Sequence, residues 1–247
     1  MNEDCLKRAR ERIVFALDVP SLHEALRYVR MLEGWVGCFK VGLELFASEG
    51  PRVLRAIEEN SSAEIFLDLK LHDIPATVRG TIRAVSKYRV RYLTVHCEHD
   101  RQLAEACAGL EGGPRILAVT VLTSIGERDL RPMGFQNGLT LQQLVLDRAE
   151  MAKRAGCFGV VCSGHEVAAV KKTCGPDFAA VVPGIRPRWN RISGDDQARA
   201  MTPEEAISLG ADLIVVGRPI RAAADPEGAA KKVVEEVQAA LAPNPGP

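Results

Sequence analysis

Neither sign of charge prevails in this chain. Its 32 lysines and arginines are matched by 32 aspartates and glutamates, so no basic excess points to nucleic acid and no one-signed tail to a membrane surface. Any site for an anion must therefore be local. No apolar run approaches the length of a membrane span, and Met1 to Arg12 is charged, without the apolar stretch of a secretory leader. The seven cysteines are odd in number and include no CxxC pair. That argues against a disulfide framework and against metal or redox chemistry; small buried apolar residues in a reducing compartment, the cytoplasm, are expected instead. Internal linkers and low-complexity segments are missing too. Only the tail 242–247 (APNPGP) is expected to be disordered, because its prolines and glycine cannot continue a helix. The rest, residues 1–241, reads as one domain.

What fills those residues is an alternation. Short β-rich apolar runs (13–18, 38–42, 64–69, 92–96, 116–122, 158–163, 178–182 and 213–217) are separated by amphipathic stretches such as 21–32 and 140–156. Ser21 and Thr140 are suited to cap helices, Gly156 and Gly210 to end them, and Pro75 and Pro203 to occupy a first turn. Strands alternating with helices build a parallel sheet covered by helices. Eight repeats in 247 residues predict a closed (β/α)₈ barrel, the TIM-barrel fold. The open doubly wound alternative usually carries a glycine-rich turn after its first strand. Here that place reads LDVPS, which favours the barrel.

Barrel enzymes place their chemistry at the C-terminal ends of the strands. The polar residues there are Asp18 on run one, Lys40 on run two, Asp68 and Lys70 on run three, His96 on run four, Thr123 and Ser124 after run five, Arg186 after run seven, and Gly217 with Arg218 at run eight. A charge inside an apolar run is costly unless paired. One could be a structural ion pair; several on adjacent strands point to a site. Period-two alternation puts Asp68 and Lys70 on one side of their strand, facing the barrel interior, with Asp73 beyond it in the loop. With Lys40 they form a candidate Lys–Asp–Lys–Asp array of alternating charge. Carboxylates keep a neighbouring ammonium protonated, and a fixed ammonium beside a departing carboxylate supplies both a cation and a proton to a developing carbanion. The Gly217–Arg218 pair suits a phosphate, and the polar stretch 186–197 could close over it. His96, Cys97 and His99 show no wider set of metal ligands, and no metal or organic cofactor is expected.

Over almost its whole length the chain resembles the bacterial orotidine 5′-monophosphate decarboxylases. The segments that carry the resemblance are FALDVP (15–20), FKVGLELF (39–46), DLKLHDIPATV (68–78), LTVH (93–96), TVLTS (120–124), VPGIRP (182–187) and the run from Asp195 to Ile220 that ends in GRPI. The resemblance implies decarboxylation of orotidine 5′-monophosphate to UMP and carbon dioxide in pyrimidine biosynthesis. It implies that Asp18 and Lys40 hold the ribose, that Asp68 faces the substrate carboxylate, and that Lys70 protonates C6. Thr123 would contact the pyrimidine, while Gln197, Gly217 and Arg218 would bind phosphate with support from Arg186. Asp73 and Thr77 would reach into the site of a partner subunit, which implies a homodimer. The nearest rivals are magnesium-dependent sugar-phosphate decarboxylases and aldolases that share the Asp-x-Lys-x-x-Asp strand. The IPxT after Asp73 and the long PGIRP…DDQ stretch favour the nucleotide enzyme. A barrel that merely binds nucleotides would have a broken charged array, and all four members are present.

Overall fold

Each apolar run becomes a strand, and the strands close into one parallel barrel in the order of the sequence. They are β1 (Ile13–Ala16), β2 (Cys38–Val41), β3 (Glu64–Leu71), β4 (Val90–His96), β5 (Arg115–Val119), β6 (Gly159–Val161), β7 (Ala179–Val182) and β8 (Leu213–Val216). The barrel shuts where β1 pairs with β8, Phe15 lying opposite Val216. This is the expected TIM barrel, seen in a computed structural model that describes residues 3–108, 112–136, 138–190 and 200–242. The tail beyond Ala242 and most of the 188–195 stretch lie outside the described residues.

Helices begin and end where local chemistry allows. Ser21 caps the helix Leu22–Leu32 by accepting the Glu24 N–H, and Thr140 caps Leu141–Arg154 by accepting the Gln143 N–H. Pro75 and Pro203 open their helices, where a missing N–H is harmless. Gly156 and Gly210 follow helices with φ of 85° and 100°, a conformation that favours glycine. All seven cysteines are free; Cys38, Cys97, Cys157, Cys162 and Cys174 are buried, and Cys5 and Cys107 are partly so. Among the described residues no helix is long and apolar enough to cross a membrane.

Alternation along each strand sorts the side chains into two cores. Phe15, Leu17, Phe39, Val41, Ile65, Leu67, Leu93 and Val95 point outward and pack under the helices. Val14, Ala16, Cys38, Phe66, Leu117, Val181, Leu213 and Val215 point inward and pack on one another, with Tyr92, Phe158 and Val161 against them. The inward columns decide where chemistry can sit. Two residues beyond Ala16 comes Asp18; beyond Cys38, Lys40; beyond Phe66, Asp68; beyond Tyr92, Thr94; beyond Val215, Gly217. The polar residues form the top layer of a stack whose lower layers are apolar.

The close fit of the strands is exposed at Gly159, opposite Ala179 in the β6–β7 pair. A Cβ built there would lie 2.2 Å from the Ala179 carbonyl oxygen and 2.6 Å from its Cβ. Gly159→Ala should therefore destabilise the barrel by about 1–3 kcal/mol, the usual cost of overpacking. Urea unfolding tests this: the midpoint should fall with an unchanged slope, and an unchanged midpoint would mean that the strands can part freely.

Candidate active site

The third strand departs from a regular ladder where the site begins. Its pairing with β4 slips between Leu67 and Leu71. Within the slip Lys70 adopts φ of 48°, the one positive φ at a non-glycine among the described residues. Such a conformation costs on the order of 1–3 kcal/mol and persists only where its surroundings enforce it. What enforces it is Thr94 on β4, fully buried. Its Oγ1 accepts the Lys70 N–H at 2.9 Å and donates to Oδ1 of Asp68, also at 2.9 Å. One hydroxyl thus satisfies the backbone group released from the ladder and orients the neighbouring carboxylate.

Asp68 is the centre of the cluster. The Lys70 ammonium donates to its Oδ2 at 2.7 Å, and Lys40 Nζ stands 3.6 Å from the same oxygen. Lys40 also donates to Asp18 Oδ1 at 3.0 Å. Burial alone would raise the Asp68 pKa; the charges of Lys40 and Lys70 and the hydrogen bonds from Lys70 and Thr94 outweigh it and hold the carboxyl below the usual range. Lys40 and Asp68 are nearly inaccessible to solvent, whereas the Lys70 side chain is 30% exposed and faces a cavity of about 330 Å³, large enough for a small ligand.

That cavity gathers most of the residues singled out in the sequence. Asp18, Lys40, Asp68, Lys70, Thr123, Arg186, Gly217 and Arg218 all line it. Asp73 and Thr77 do not: both are exposed, and Asp73 lines a separate groove on the outer surface with Ile74 and Pro75. Gln197 lies outside the described residues. Two contributors escaped the sequence. Thr94 is one; its only signal was inward parity with Tyr92. Arg221 is the other: it lines the cavity and donates to the Asp18 carbonyl, one helical turn beyond Arg218. His96 packs its ring 5.4 Å from that of His72. Burial and then His72 push its pKa down. No three His, Cys, Asp or Glu among the described residues are grouped to hold a metal ion.

Comparison with known proteins follows this geometry. Residues 11–233 match the model of the Orotidine 5'-phosphate decarboxylase / HUMPS family. An orotidine 5'-phosphate decarboxylase of Desulfosudis oleivorans is 46% identical over 236 residues, 94% of this chain and 95% of that protein. One from Synechocystis sp. is 43% identical over 231 residues, covering 92% and 98%. The crystal structure of orotidine 5'-phosphate decarboxylase from Lactobacillus acidophilus superposes with a TM-score of 0.78 at 35% identity, over 92% of this chain and 99% of that one.

Two outcomes test the cluster. Thr94→Val removes one hydroxyl and strands two groups, the Lys70 N–H and Asp68 Oδ1. An unsatisfied buried group costs about 1–3 kcal/mol, so thermal unfolding should show a loss of that size, and a stability equal to wild type would deny Thr94 its bridging role. The second outcome concerns acid. A carboxyl with a depressed folded pKa contributes stability that is fully present above its unfolded value, about 3.9, and is lost as pH falls through the folded one. The stability gap between wild type and Asp68→Asn should hold steady at neutral pH and narrow below about pH 4. A gap independent of pH in denaturant titrations would mean that Asp68 is not held ionised by its neighbours.

Proposed function

Because this chain belongs to the Orotidine 5'-phosphate decarboxylase / HUMPS family, we infer that it converts orotidine 5′-phosphate to uridine 5′-monophosphate and carbon dioxide, a step of pyrimidine biosynthesis. A lysine ammonium held 2.7 Å from an ionised, buried aspartate at the edge of the cavity carries the chemical reading. The C6–carboxylate bond of the pyrimidine breaks, its electron pair stays on C6, and carbon dioxide leaves. Lys70 stands against the developing carbanion and delivers a proton to C6, then regains one from solvent. Asp68 faces the substrate carboxylate; the repulsion between two anions is relieved as carbon dioxide, which is neutral, departs. Unit charges about 4 Å apart interact by about 4 kcal/mol at an effective dielectric near 20. One such contact confined to the transition state is thus worth roughly a thousandfold in rate. Lys70 supplies both cation and proton, so this reading gives no metal or organic cofactor a part.

The rim order supports the placement of the rest of the nucleotide. Arg186 follows β7, Gly217 and Arg218 follow β8, Asp18 follows β1, Lys40 lies on β2, and Asp68 with Lys70 belongs to β3. A phosphate between the arginines, a ribose at Asp18 and Lys40, and a base at Lys70 with Thr123 opposite would lie along neighbouring strands. Arg221 holds the Asp18 carbonyl and stiffens the ribose end. Gln197 would join the phosphate from the segment after β7. The free thiols suit a reducing cytoplasm.

Asp73 completes the array from a second copy of the chain. Its exposure outside its own cavity, beside an Ile74 that is 66% exposed, favours a role across a two-fold interface, with Thr77 on the same surface. The decisive assay follows loss of substrate absorbance with orotidine 5′-phosphate in excess chelator. Wild type should turn over; Lys70→Ala and Asp73→Asn should each be nearly inactive while remaining folded. Mixing the two under subunit exchange makes half the dimers mixed, each with one intact site, so about a quarter of wild-type activity should return. No return of activity, with exchange confirmed by mass, would place Asp73 in its own chain's site. Activity lost to chelator and restored by magnesium would overturn the lysine mechanism.

A further inference from the structure

The segment that carries Asp73 is exposed, and on its far side the Ile74 carbonyl accepts the Thr77 and Val78 N–H groups of the helix Pro75–Val85. Pro75 has no N–H to give, and the Asp73 carboxylate takes the N–H of its neighbour Ile74 at 2.7 Å. What holds the Asp73 carbonyl itself is a side chain from another helix. Nε2 of Gln102 donates to the Asp73 backbone carbonyl at 2.8 Å.

Gln102 stands in the first turn of the helix Asp100–Cys107 and is 3% exposed, beside the buried Leu103 and Ala106. A primary amide is costly to bury without a partner, whereas leucine would fill similar space at no such cost. The benefit of a glutamine there therefore lies with the group it holds. The helix is held by its buried Leu103 and Ala106 and by Glu105, which reaches Arg79 on the helix Pro75–Val85 at 3.5 Å. The Asp73 segment thus leans on a fixed neighbour through one hydrogen bond.

We propose that Gln102 is a positioning residue for the decarboxylation: its amide fixes the Asp73 backbone and thereby the direction of the Asp73 carboxylate. This rests on the reading that Asp73 completes the charged array, and it holds whichever subunit's site Asp73 enters.

The test compares Gln102→Leu, Gln102→Glu and Asp73→Asn with wild type. Gln102→Leu keeps the bulk and loses the donor; kcat should fall about tenfold, the worth of one ordinary hydrogen bond, with KM changing much less. Gln102→Glu puts a carboxylate against the Asp73 carbonyl. Once protonated, that carboxyl donates where the amide did. Its kcat relative to wild type should therefore be low at neutral pH and climb several-fold toward one as the pH falls. His72, Arg79, Glu98, His99, Arg101 and Glu105 share the groove and are present in every variant, so Gln102→Leu, which adds no ionisable group, is the baseline against which the pH dependence of Gln102→Glu is read. A merely structural glutamine would let pH move the melting temperature of Gln102→Glu while the kcat ratio of the folded enzymes stayed flat, and that result overturns the proposal. So does wild-type kcat in Gln102→Leu when Asp73→Asn is inactive; this outcome leaves the array reading standing. Full activity in Asp73→Asn would overturn the array reading and this inference together. Should Gln102→Leu fail to fold, the pH dependence of Gln102→Glu, read against wild type, decides alone.

Discussion

An aspartate buried between two lysines is the arrangement around which the mouth of this barrel is organised. A lone buried carboxylate would be neutralised by protonation rather than pay for its desolvation. Asp68 escapes that because Lys70 and Lys40 converge on one oxygen and Thr94 supplies a donor to the other. Lys70 shares β3 with Asp68, whereas Lys40 comes from β2 and Thr94 from β4, so the cluster is complete only when the three strands are in register. The same requirement accounts for the irregular backbone at Lys70. A regular strand would commit the Lys70 N–H to the ladder; the slip between Leu67 and Leu71 frees it, and Thr94 takes it up. Strain in the backbone and order among the charges are thus set by one hydroxyl.

The apolar stack beneath explains why these charges hold their places. Inward columns of mostly aliphatic side chains, with Phe66 among them, fill the barrel up to Ala16, Cys38 and Phe66, leaving the next inward positions at the opening. A side chain there has packed atoms below it and a cavity above. Lysine suits such a place: its stem covers apolar surface while its ammonium reaches the rim. The arginine-lined end, by contrast, is made from residues that follow β7 and β8, so the two ends of the cavity rest on different parts of the barrel. Asp18 lies between them, bound to Lys40 through its carboxylate and to Arg221 through its carbonyl, and joins the arginine-lined side to the lysine–aspartate cluster.

Much of this was legible in the chain itself, for a local reason. Strand existence follows from β-rich apolar runs, helix ends from Ser21, Thr140, Gly156 and Pro75, and the closed barrel from eight repetitions of that pattern; all of these are decided within a few residues. The charged lining of the cavity was legible where charges interrupt apolar runs, since Asp18, Lys40, Asp68 and Lys70 have no cheap reason to be there. Period-two alternation brought Asp68 and Lys70 to one side, although the strand there is broken rather than regular, and the pair meets through the kink.

What the chain alone did not decide depends on partners far away in sequence. Thr94 is an ordinary strand residue until β4 lies beside β3 and its hydroxyl meets a carboxylate 26 positions earlier. Gln102 is an ordinary helix residue until its amide finds the Asp73 carbonyl 29 positions back, and Arg221 is one more surface cation until it spans 203 residues to Asp18. Asp73 carries the clearest motif in the sequence, yet the fold leaves it outside its own cavity. Propensity and periodicity are set by near neighbours, so the sequence determined the barrel and the charges at its mouth. Hydrogen bonds across strands and around the rim form only once the barrel has closed, so tertiary structure alone decided which groups hold those charges in place.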